Sequence, residues 1–410
     1  MIGWLQLTDE QRRTSIAQAS AISGITEKAI EKDWWVTLTL KALFGTAYSK
    51  HLIFKGGTSL SKGWKLIERF SEDIDIALEP EAFGRSYKKD PSHRYVKTLK
   101  KEGCAFTSTV MKEALEKQFN ELGVPAGIIK VIAAEVPATI PDRDPQTLFI
   151  RYPSLYPPNP YLADEVKVEF SVRSLKEPFA KVAIQSILWE VFPNKLYEEA
   201  PFQVVAVDPK KTLLEKAFLL HEKFLTTTAG QMQGERQSRH LYDLYKMMNT
   251  PPGYAALSDT AFYTTLLDHR KNYIRLSGID YDSLHYATLS FIPTGDFVDM
   301  FRRDYEAMQT AMIHGASPGF DEMLDQLKLL NGRFRLMGKG KELDEIIANA
   351  LHNAKGLVGA SIEGSIIDIP VHYVSNLYQP AGPYNESITY MVQFIRRKNK
   401  LVFQKISILK

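Results

Sequence analysis

The chain has 410 residues and a formal net charge of +3, from 51 Lys and Arg against 48 Asp and Glu. This balance is typical of a globular protein with two or three subdomains, and the small basic excess does not by itself indicate a nucleic-acid partner. The single cysteine, Cys104, excludes an intrachain disulfide and a cysteine-based zinc site. Because the sequence contains neither an apolar leader nor an apolar run of transmembrane length, we expect a cytoplasmic protein without membrane contact.

Two helices are predicted at the start of the chain, over residues 8–48. Thr8 and Gln11 form a capping-box pattern, and Gly24 separates the first helix from a second that begins near Thr26. We expect both helices to pack over a sheet rather than to contribute chemistry.

The segment HLIFKGGTSLSKGWKLIERFSEDIDIALE, residues 51–79, begins with an apolar run that predicts a short buried strand. Gly56 and Gly57 end the strand, and Thr58 and Ser59 supply hydroxyls where a helix can begin. The apolar face of that helix is predicted to contain Leu60, Trp64 and Ile67. Backbone N–H groups at such a turn can bind the phosphates of a nucleotide.

Asp73 and Asp75 alternate with Ile74 and Ile76, which predicts a strand with isoleucines toward the core and two carboxylates on its other face. Two neighbouring carboxylates raise each other's pKa, and a divalent cation removes that penalty. Mg²⁺ prefers oxygen ligands combined with substrate phosphates, so Asp73 and Asp75 predict a site for Mg²⁺ or Mn²⁺ beside an NTP.

The segment FKGGTSLSKGWKLIERFSEDIDIAL, residues 54–78, resembles the signature of the AbiEii/AbiGii nucleotidyltransferase toxins of the DNA polymerase β-like superfamily. The resemblance implies an α/β (α+β) fold with a polymerase β-like core, N-terminal helices, a C-terminal helical domain and a small β-containing tail. It further implies that Gly56, Gly57, Thr58 and Ser59 bind the nucleotide phosphates, with Lys62 among the balancing charges.

Residues 85–101 contain seven Lys and Arg against one acid, with Tyr87 and Tyr95 among them. Such a segment can contact the triphosphate or a nucleic-acid backbone, with tyrosines available for stacking. A solvated helix face accounts for the charges equally well.

Strands are predicted over residues 128–136 and 146–152, and a further strand is indicated by Val166, Val168 and Phe170. Polymerase β-like folds often bring a third carboxylate to the aspartate pair, and Glu169 is the candidate, as metal ligand or general base. The alternative is an exposed strand glutamate that pairs with Lys167.

Asp208-Pro209 predicts the start of a helix in which Lys216 resembles the family lysine at the nucleotide phosphates. The pattern Arg239-His240-x-x-Asp243 resembles the last family motif, although His240 stands where an aspartate is usual, and it makes Asp243 a candidate catalytic residue. The alternatives are a surface lysine and an intrahelical ion pair between Arg239 and Asp243.

Residues 258–331 are predicted to be helical, and the family resemblance ends near residue 333. A short helix over 343–354 and strands that include a hairpin at Lys398-Asn399-Lys400 are predicted beyond it. The predicted domains are N-terminal helices (1–45), a nucleotidyltransferase core (46–210), a helical domain (211–332) and a C-terminal extension (333–410).

The resemblance implies transfer of an NMP from an NTP to an RNA acceptor such as tRNA, with growth arrest in a toxin–antitoxin or abortive phage infection system. It implies a co-encoded antitoxin as well, which need not contact the toxin. Two alternatives remain: a transferase acting on a small-molecule or protein hydroxyl, and a non-catalytic module that binds NTP or RNA. H-E-x-x-H, Walker A and G-x-G-x-x-G motifs do not occur in the sequence.

Overall fold

A computed structural model describes residues 2–158, 163–197, 200–227, 236–337, 350, 366–379, 382–397 and 400–408. The α-helices are α1 (Ile2–Leu5), α2 (Asp9–Ser23), α3 (Glu27–Gly45), α4 (Gly56–Thr58), α5 (His93–Phe106), α6 (Lys112–Glu121), α7 (Ile187–Val191), α8 (Pro209–Thr226), α9 (Ser238–Met247), α10 (Pro251–Ser258), α11 (Thr260–His269), α12 (Asp296–Ala311) and α13 (Phe320–Leu336). The strands are β1 (Leu52–Lys55), β2 (Ile74–Leu78), β3 (Lys130–Ala133), β4 (Gln146–Arg151), β5 (Glu165–Ser171), β6 (Phe179–Ile184), β7 (Phe202–Val207), β8 (Ile366–Gln379), β9 (Gly382–Arg397) and β10 (Lys400–Ile408).

A mixed seven-stranded sheet in the order β3-β4-β5-β2-β1-β7-β6 forms the centre of the protein, which confirms the predicted α/β class. β2 lies between β1, with which it is antiparallel, and β5, with which it is parallel. The aspartate strand is therefore a central strand of the sheet. Its neighbours bring the glycine turn to one side of it and Glu169 to the other.

The N-terminal helix α3 packs against this sheet, and α2 packs on α3. α2 begins at Thr8 with the expected capping box, because the Thr8 side chain accepts from the Gln11 backbone and Gln11 accepts from the Thr8 backbone. Most residues of α3 are buried, including Trp34 and Trp35. Trp35 stacks on Tyr152 with ring centroids 4.7 Å apart, which joins α3 to the chain just after β4. These contacts leave the opposite face of the sheet for the aspartates.

The helix that follows the glycine pair is shorter than predicted. α4 continues as a single π-helical turn, Ser59–Gly63, and Lys65 then adopts a left-handed backbone with φ 54°. A helix cannot continue through such a residue, so the prediction that Leu60, Trp64 and Ile67 share one helix is wrong. Leu60 and Ile67 are nevertheless both buried in the same apolar cluster.

That cluster is the core of the helical part of the protein, contributed mainly by α8 to α13. α8 begins at Asp208, whose side chain accepts from the Lys210 backbone, with Pro209 at the first helical position as predicted. The separate cluster around the N-terminal helices and the sheet is consistent with the proposed division at residue 211, which stays a prediction.

The C-terminal strands form a separate three-stranded antiparallel sheet in the order β10-β9-β8. β9 and β10 pair with Arg397 opposite Lys400, in the register of the predicted hairpin. Lys398, Asn399 and, apart from Ala350, the residues of the helix predicted over 343–354 lie outside the described residues. Among the helices that are described, none is both long and apolar enough to cross a membrane.

Candidate active site

Gly56 and Asp75 are in direct contact at the centre of the sheet. Lys55, the last residue of β1, lies opposite Asp75 in the antiparallel register. Gly56 has φ +78°, and a Cβ atom built on it would lie 2.0 Å from Asp75 Oδ2. A side chain at this position would collide with the carboxylate, so the turn needs glycine for its backbone conformation and for this close approach.

The second glycine makes a similar approach to Arg69. A Cβ atom on Gly57 would lie 2.5 Å from Arg69 Nη2 and 2.9 Å from Ser71 Oγ. Thr58 Oγ1 donates to the Asp73 carbonyl oxygen and lies 2.9 Å from Ser71 Oγ. These contacts fix the glycine turn against the residues that lead into β2, so the predicted phosphate-binding segment and the predicted metal-binding strand form one unit.

The two aspartates occupy the polar face of β2. Ile74 and Ile76 are fully buried on the other face, as the alternation predicted, whereas Asp73 and Asp75 remain partly exposed. Burial, with smaller contributions from the Glu169 and Asp73 charges, raises the pKa of Asp75 to about 6. Burial and neighbouring carboxylates also raise the pKa of Asp73. The site therefore resists holding two negative charges without a cation.

Glu169 lies beside Asp75, because Asp75 and Glu169 are register partners in the parallel β2–β5 pair. Its carboxylate also forms an ion pair with Lys167, at 2.7 Å between Oε1 and Nζ. Glu169 thus lies beside the aspartate strand and is also paired, and its role as metal ligand or general base stays a prediction. Within the described ranges, no group of three or more His, Cys, Asp and Glu side chains is arranged to hold a metal ion.

Arg239 is a cation of the site that the sequence interpretation left unassigned. Its positive charge partly opposes the rise in the pKa values of both Asp73 and Asp75, which places it close to the pair. Its Nε atom is buried and has no hydrogen-bond partner in the described part of the chain. The signal was present in the Arg239-His240-x-x-Asp243 pattern, but the pattern does not show which way the arginine points.

The buried carboxylate of Asp243 pairs with two cationic side chains. Arg69 Nε and Nη2 donate to its two oxygens at 2.7 and 2.8 Å, and Lys216 Nζ lies 2.8 Å from Oδ2. Burial alone would raise the pKa of Asp243, but Arg69 and Lys216 together lower it to about 2. Asp243 therefore pairs with Arg69 and Lys216, and this arrangement replaces the intrahelical pair with Arg239 considered from sequence.

His240 lies next to this group. Its Nδ1 is 3.5 Å from Lys216 Nζ, and burial together with the surrounding cations lowers its pKa well below the usual value. A neutral imidazole therefore stands where the family motif usually has an aspartate.

The ion pair of Lys62 in this structure is with α3 and not with Asp73 or Asp75. Its ammonium pairs with Asp33 of α3, and the second Asp33 oxygen accepts from the Ile187 backbone at 2.8 Å. Lys62 is buried in this contact. Its predicted role at the phosphates stays a prediction, whereas its observed contact joins the π-helical turn to α3.

Comparison with known protein families places most of the chain in one of them. Residues 40–326 match the family model described as "Nucleotidyl transferase AbiEii toxin, Type IV TA system". The match spans well over half of the chain and includes the glycine turn, the aspartate strand, Glu169, Lys216 and Asp243. Neither the curated proteins nor the solved structures gave a significant match.

Proposed function

Because the chain belongs to the AbiEii family of nucleotidyltransferase toxins of type IV toxin–antitoxin systems, we propose that it transfers an NMP from an NTP to a hydroxyl group of an RNA acceptor such as tRNA. The modified RNA would no longer serve translation, and growth would stop. The family implies an antitoxin partner, and the proposal does not require that antitoxin to contact this chain.

The contact between Asp75 and Gly56 supports this proposal most directly. It brings the carboxylate pair to the turn whose backbone N–H groups are suited to phosphate, within a single unit of the sheet. A triphosphate bound at the turn would have its α-phosphorus near two carboxylates, which is the arrangement required for metal-assisted transfer.

The donor set fits Mg²⁺ or Mn²⁺. Mg²⁺ in phosphoryl-transfer sites is commonly held by one or two carboxylates, with water and substrate phosphates completing the coordination, so Asp73 and Asp75 are sufficient. The raised pKa values of both aspartates also favour a cation at this site, because a bound cation would relieve the cost of ionising the two carboxyl groups together. The cation would neutralise charge on the phosphates as the leaving group departs.

The side chains around the pair would position the reactants. The acceptor hydroxyl attacks the α-phosphorus, a new P–O bond forms, and the bond to pyrophosphate breaks. Glu169 would accept the hydroxyl proton, since its carboxylate lies beside Asp75 and contacts Lys167. Arg239 would supply positive charge to the triphosphate, because its charge already reaches both aspartates.

Lys216 and Asp243 would act at the phosphates chiefly through Arg69. Asp243 holds the Arg69 guanidinium, and Arg69 in turn lies against Gly57. Lys216 pairs with the same carboxylate. If the Lys216 ammonium moved toward a phosphate, Arg69 would remain as the counter-charge of the buried Asp243.

The direct test is incubation of the purified protein with each labelled NTP, Mg²⁺ and total RNA, followed by detection of labelled RNA. Asp75→Asn and Asp73→Asn should abolish labelling and growth arrest while the fold survives. Glu169→Gln should reduce the rate by about 100-fold or more, as expected for loss of a general base.

Glu165→Gln is the matched control for Glu169→Gln. Glu165 lies on the same strand and also pairs with a basic side chain, Arg151, at 3.0 Å. This control should transfer nucleotide at the wild-type rate. Continued labelling by the Asp75→Asn variant would refute the role of Asp75, and toxicity without labelling would refute transfer as the cause of growth arrest. Labelling of a small molecule or protein instead of RNA would show that the acceptor is not RNA.

A further inference from the structure

We infer that the RNA acceptor docks on a basic surface formed by Lys88, Lys89 and the exposed face of α5, with the ring of Tyr87 as a stacking platform for an unpaired base. This inference rests on the proposed function, since it names the surface that presents the acceptor to the site. This docking surface consists of Tyr87, Lys88 and Lys89 together with Arg94, Lys97 and Lys101 of α5.

One face of α5 presents three positive charges. Arg94, Lys97 and Lys101 are exposed and follow one another at helical spacings of three and four residues, so they share a face. The opposite face carries the buried residues Val96 and Leu99. α5 is therefore amphipathic in the sense required for a helix that packs on one side and contacts a polyanion on the other.

Asp90 is the one acid within residues 85–101, and two further acids near this face are already paired with other bases. Glu102 binds Arg85 through both carboxylate oxygens, and Asp142 pairs with Lys100 at 2.8 Å. By contrast, no ion pair is formed by Lys89, Arg94, Lys97 or Lys101 within the described residues. A helix face that serves only solubility usually mixes charges of both signs. The excess of positive charge here favours a phosphate backbone as the partner.

Three near-parallel aromatic rings lie beside the basic residues. Tyr273 stacks on Tyr87 with centroids 5.2 Å apart and on His269 at 4.7 Å. Tyr87 is 42% exposed, although its hydroxyl is held 3.0 Å from His269 Nδ1. A tyrosine whose orientation is fixed and whose ring is open to solvent is suited to stack a base with little loss of conformational entropy.

The backbone of Lys88 is fixed to the same stack. Its N–H donates to the Tyr273 hydroxyl at 3.0 Å, and its carbonyl accepts from that hydroxyl at 2.8 Å. The Lys88 ammonium lies 4.2 Å from the centre of the Tyr95 ring. The basic segment and the aromatic rings are therefore one ordered surface rather than a mobile loop beside a helix.

This surface is connected to the strand that carries Glu169. His269 Nε2 is 2.8 Å from the carbonyl oxygen of Arg173, just beyond the end of β5. The charges of Lys211 and Glu215 on α8 reach His269, and the Lys55 charge reaches both of them. The Tyr87 stack is thus coupled electrostatically, through Lys211 and Glu215, to Lys55, the register partner of Asp75.

The test compares two triple variants with the same loss of charge. Arg94→Gln/Lys97→Gln/Lys101→Gln removes the helix face, whereas Lys117→Gln/Lys181→Gln/Lys328→Gln removes three exposed lysines elsewhere. The first variant should bind single-stranded RNA at least about 10-fold more weakly near 0.1 M salt, and its log K against log salt slope should be smaller by about 2. The control triple should match the wild type.

Tyr87→Ala and Tyr87→Phe test the stacking platform. Loss of the ring should weaken RNA binding by about 5- to 100-fold, whereas phenylalanine, which keeps the ring, should retain most of the affinity. The affinity for Mg²⁺ and NTP, measured from the shift in melting temperature that they cause, should be unchanged in both Tyr87 variants and in the α5 triple variant.

The outcomes separate this inference from the function on which it rests. If the wild type labels RNA and the α5 triple labels it at the same rate with the same salt dependence, the docking surface is wrong and the proposed function stands. If the wild type labels no RNA but labels a small molecule or protein, and Asp75→Asn abolishes that labelling, the proposed RNA acceptor fails and the docking surface fails with it.

Discussion

Arg69 donates from Nε and Nη2 to both oxygens of Asp243, at 2.7 and 2.8 Å, across 174 residues of sequence. The pair connects the residues leading into β2 to α9 of the helical part, with both side chains almost completely buried. It therefore holds Arg69 against Gly57, and substitution of Asp243 should destabilise the fold.

Asp243→Asn should lower the free energy of unfolding by about 3–5 kcal/mol, because it leaves the cations of Arg69 and Lys216 buried without a counter-charge. Urea denaturation measures this loss. Asp321→Asn, which breaks the exposed Arg302–Asp321 pair, is the matched control and should leave the midpoint almost unchanged. Equal effects of the two substitutions would contradict a special role for the buried group.

The same carboxylate predicts an acid dependence. The pKa of Asp243 is lowered to about 2 in the folded protein, so its ionised form stabilises the fold fully above the ordinary value near 4. That stabilisation should disappear as the pH falls from about 4 toward 2. Unfolding curves of the wild type and Asp243→Asn should therefore converge at low pH, and a constant difference over this range would contradict the prediction.

Gly56→Ala and Gly84→Ala form a pair with nearly equal backbone strain. Their φ angles are +78° and +75°, but a Cβ atom on Gly84 meets nothing within 4 Å, whereas one on Gly56 overlaps Asp75. Both substitutions should cost about 1 kcal/mol from the left-handed backbone. Gly56→Ala alone should also displace the carboxylate and lower nucleotide transfer by about 100-fold or more. Equal transfer rates in the two variants would separate the glycine turn from catalysis.

Asp75→Asn should stabilise the metal-free protein while it abolishes transfer. Burial and the neighbouring carboxylates disfavour the ionised form of Asp75, so the neutral amide removes a cost present at neutral pH. Thermal unfolding in EDTA should show a higher melting temperature for the variant, and added Mg²⁺ should stabilise the wild type more than the variant. A lower melting temperature of Asp75→Asn than of the wild type in EDTA would argue against an electrostatic cost of ionised Asp75.

His269 predicts a loss of stability in mild acid. Burial lowers the pKa of His269 to about 4, so between the ordinary value near 6.5 and about 4 the unfolded chain binds a proton that the folded chain does not. Stability should fall through this window by up to about 3 kcal/mol. His269→Gln should flatten the dependence, whereas replacement of the exposed His285 should not.

Local features of the site could be predicted from the sequence because each is encoded within a few residues. The alternation of Asp73 and Asp75 with isoleucines fixes the two faces of β2, and the capping box at Thr8 and the Asp208-Pro209 start follow from short-range hydrogen bonding. The fold class and the family follow from the same segment, since its motifs are contiguous.

Features that depend on distant neighbours could not be predicted in this way. The partner of Asp243 is Arg69 rather than the nearby Arg239, and the partner of Lys62 is Asp33, because burial selects the counter-charge in space and not along the helix. The helical segment after the glycine pair ends at Gly63 because Lys65 adopts a left-handed backbone conformation. A lysine at this position does not predict such a conformation.

The order in which Arg69 and Asp243 are synthesised has a consequence for the cell that makes this protein. The glycine turn and the aspartate strand leave the ribosome long before the carboxylate that fixes the guanidinium beside them. A nascent or prematurely terminated chain that lacks α9 must leave Arg69 hydrated or bury it uncompensated, and neither state reproduces the native site. Assembly of the native glycine turn in this chain therefore requires that synthesis has first reached α9.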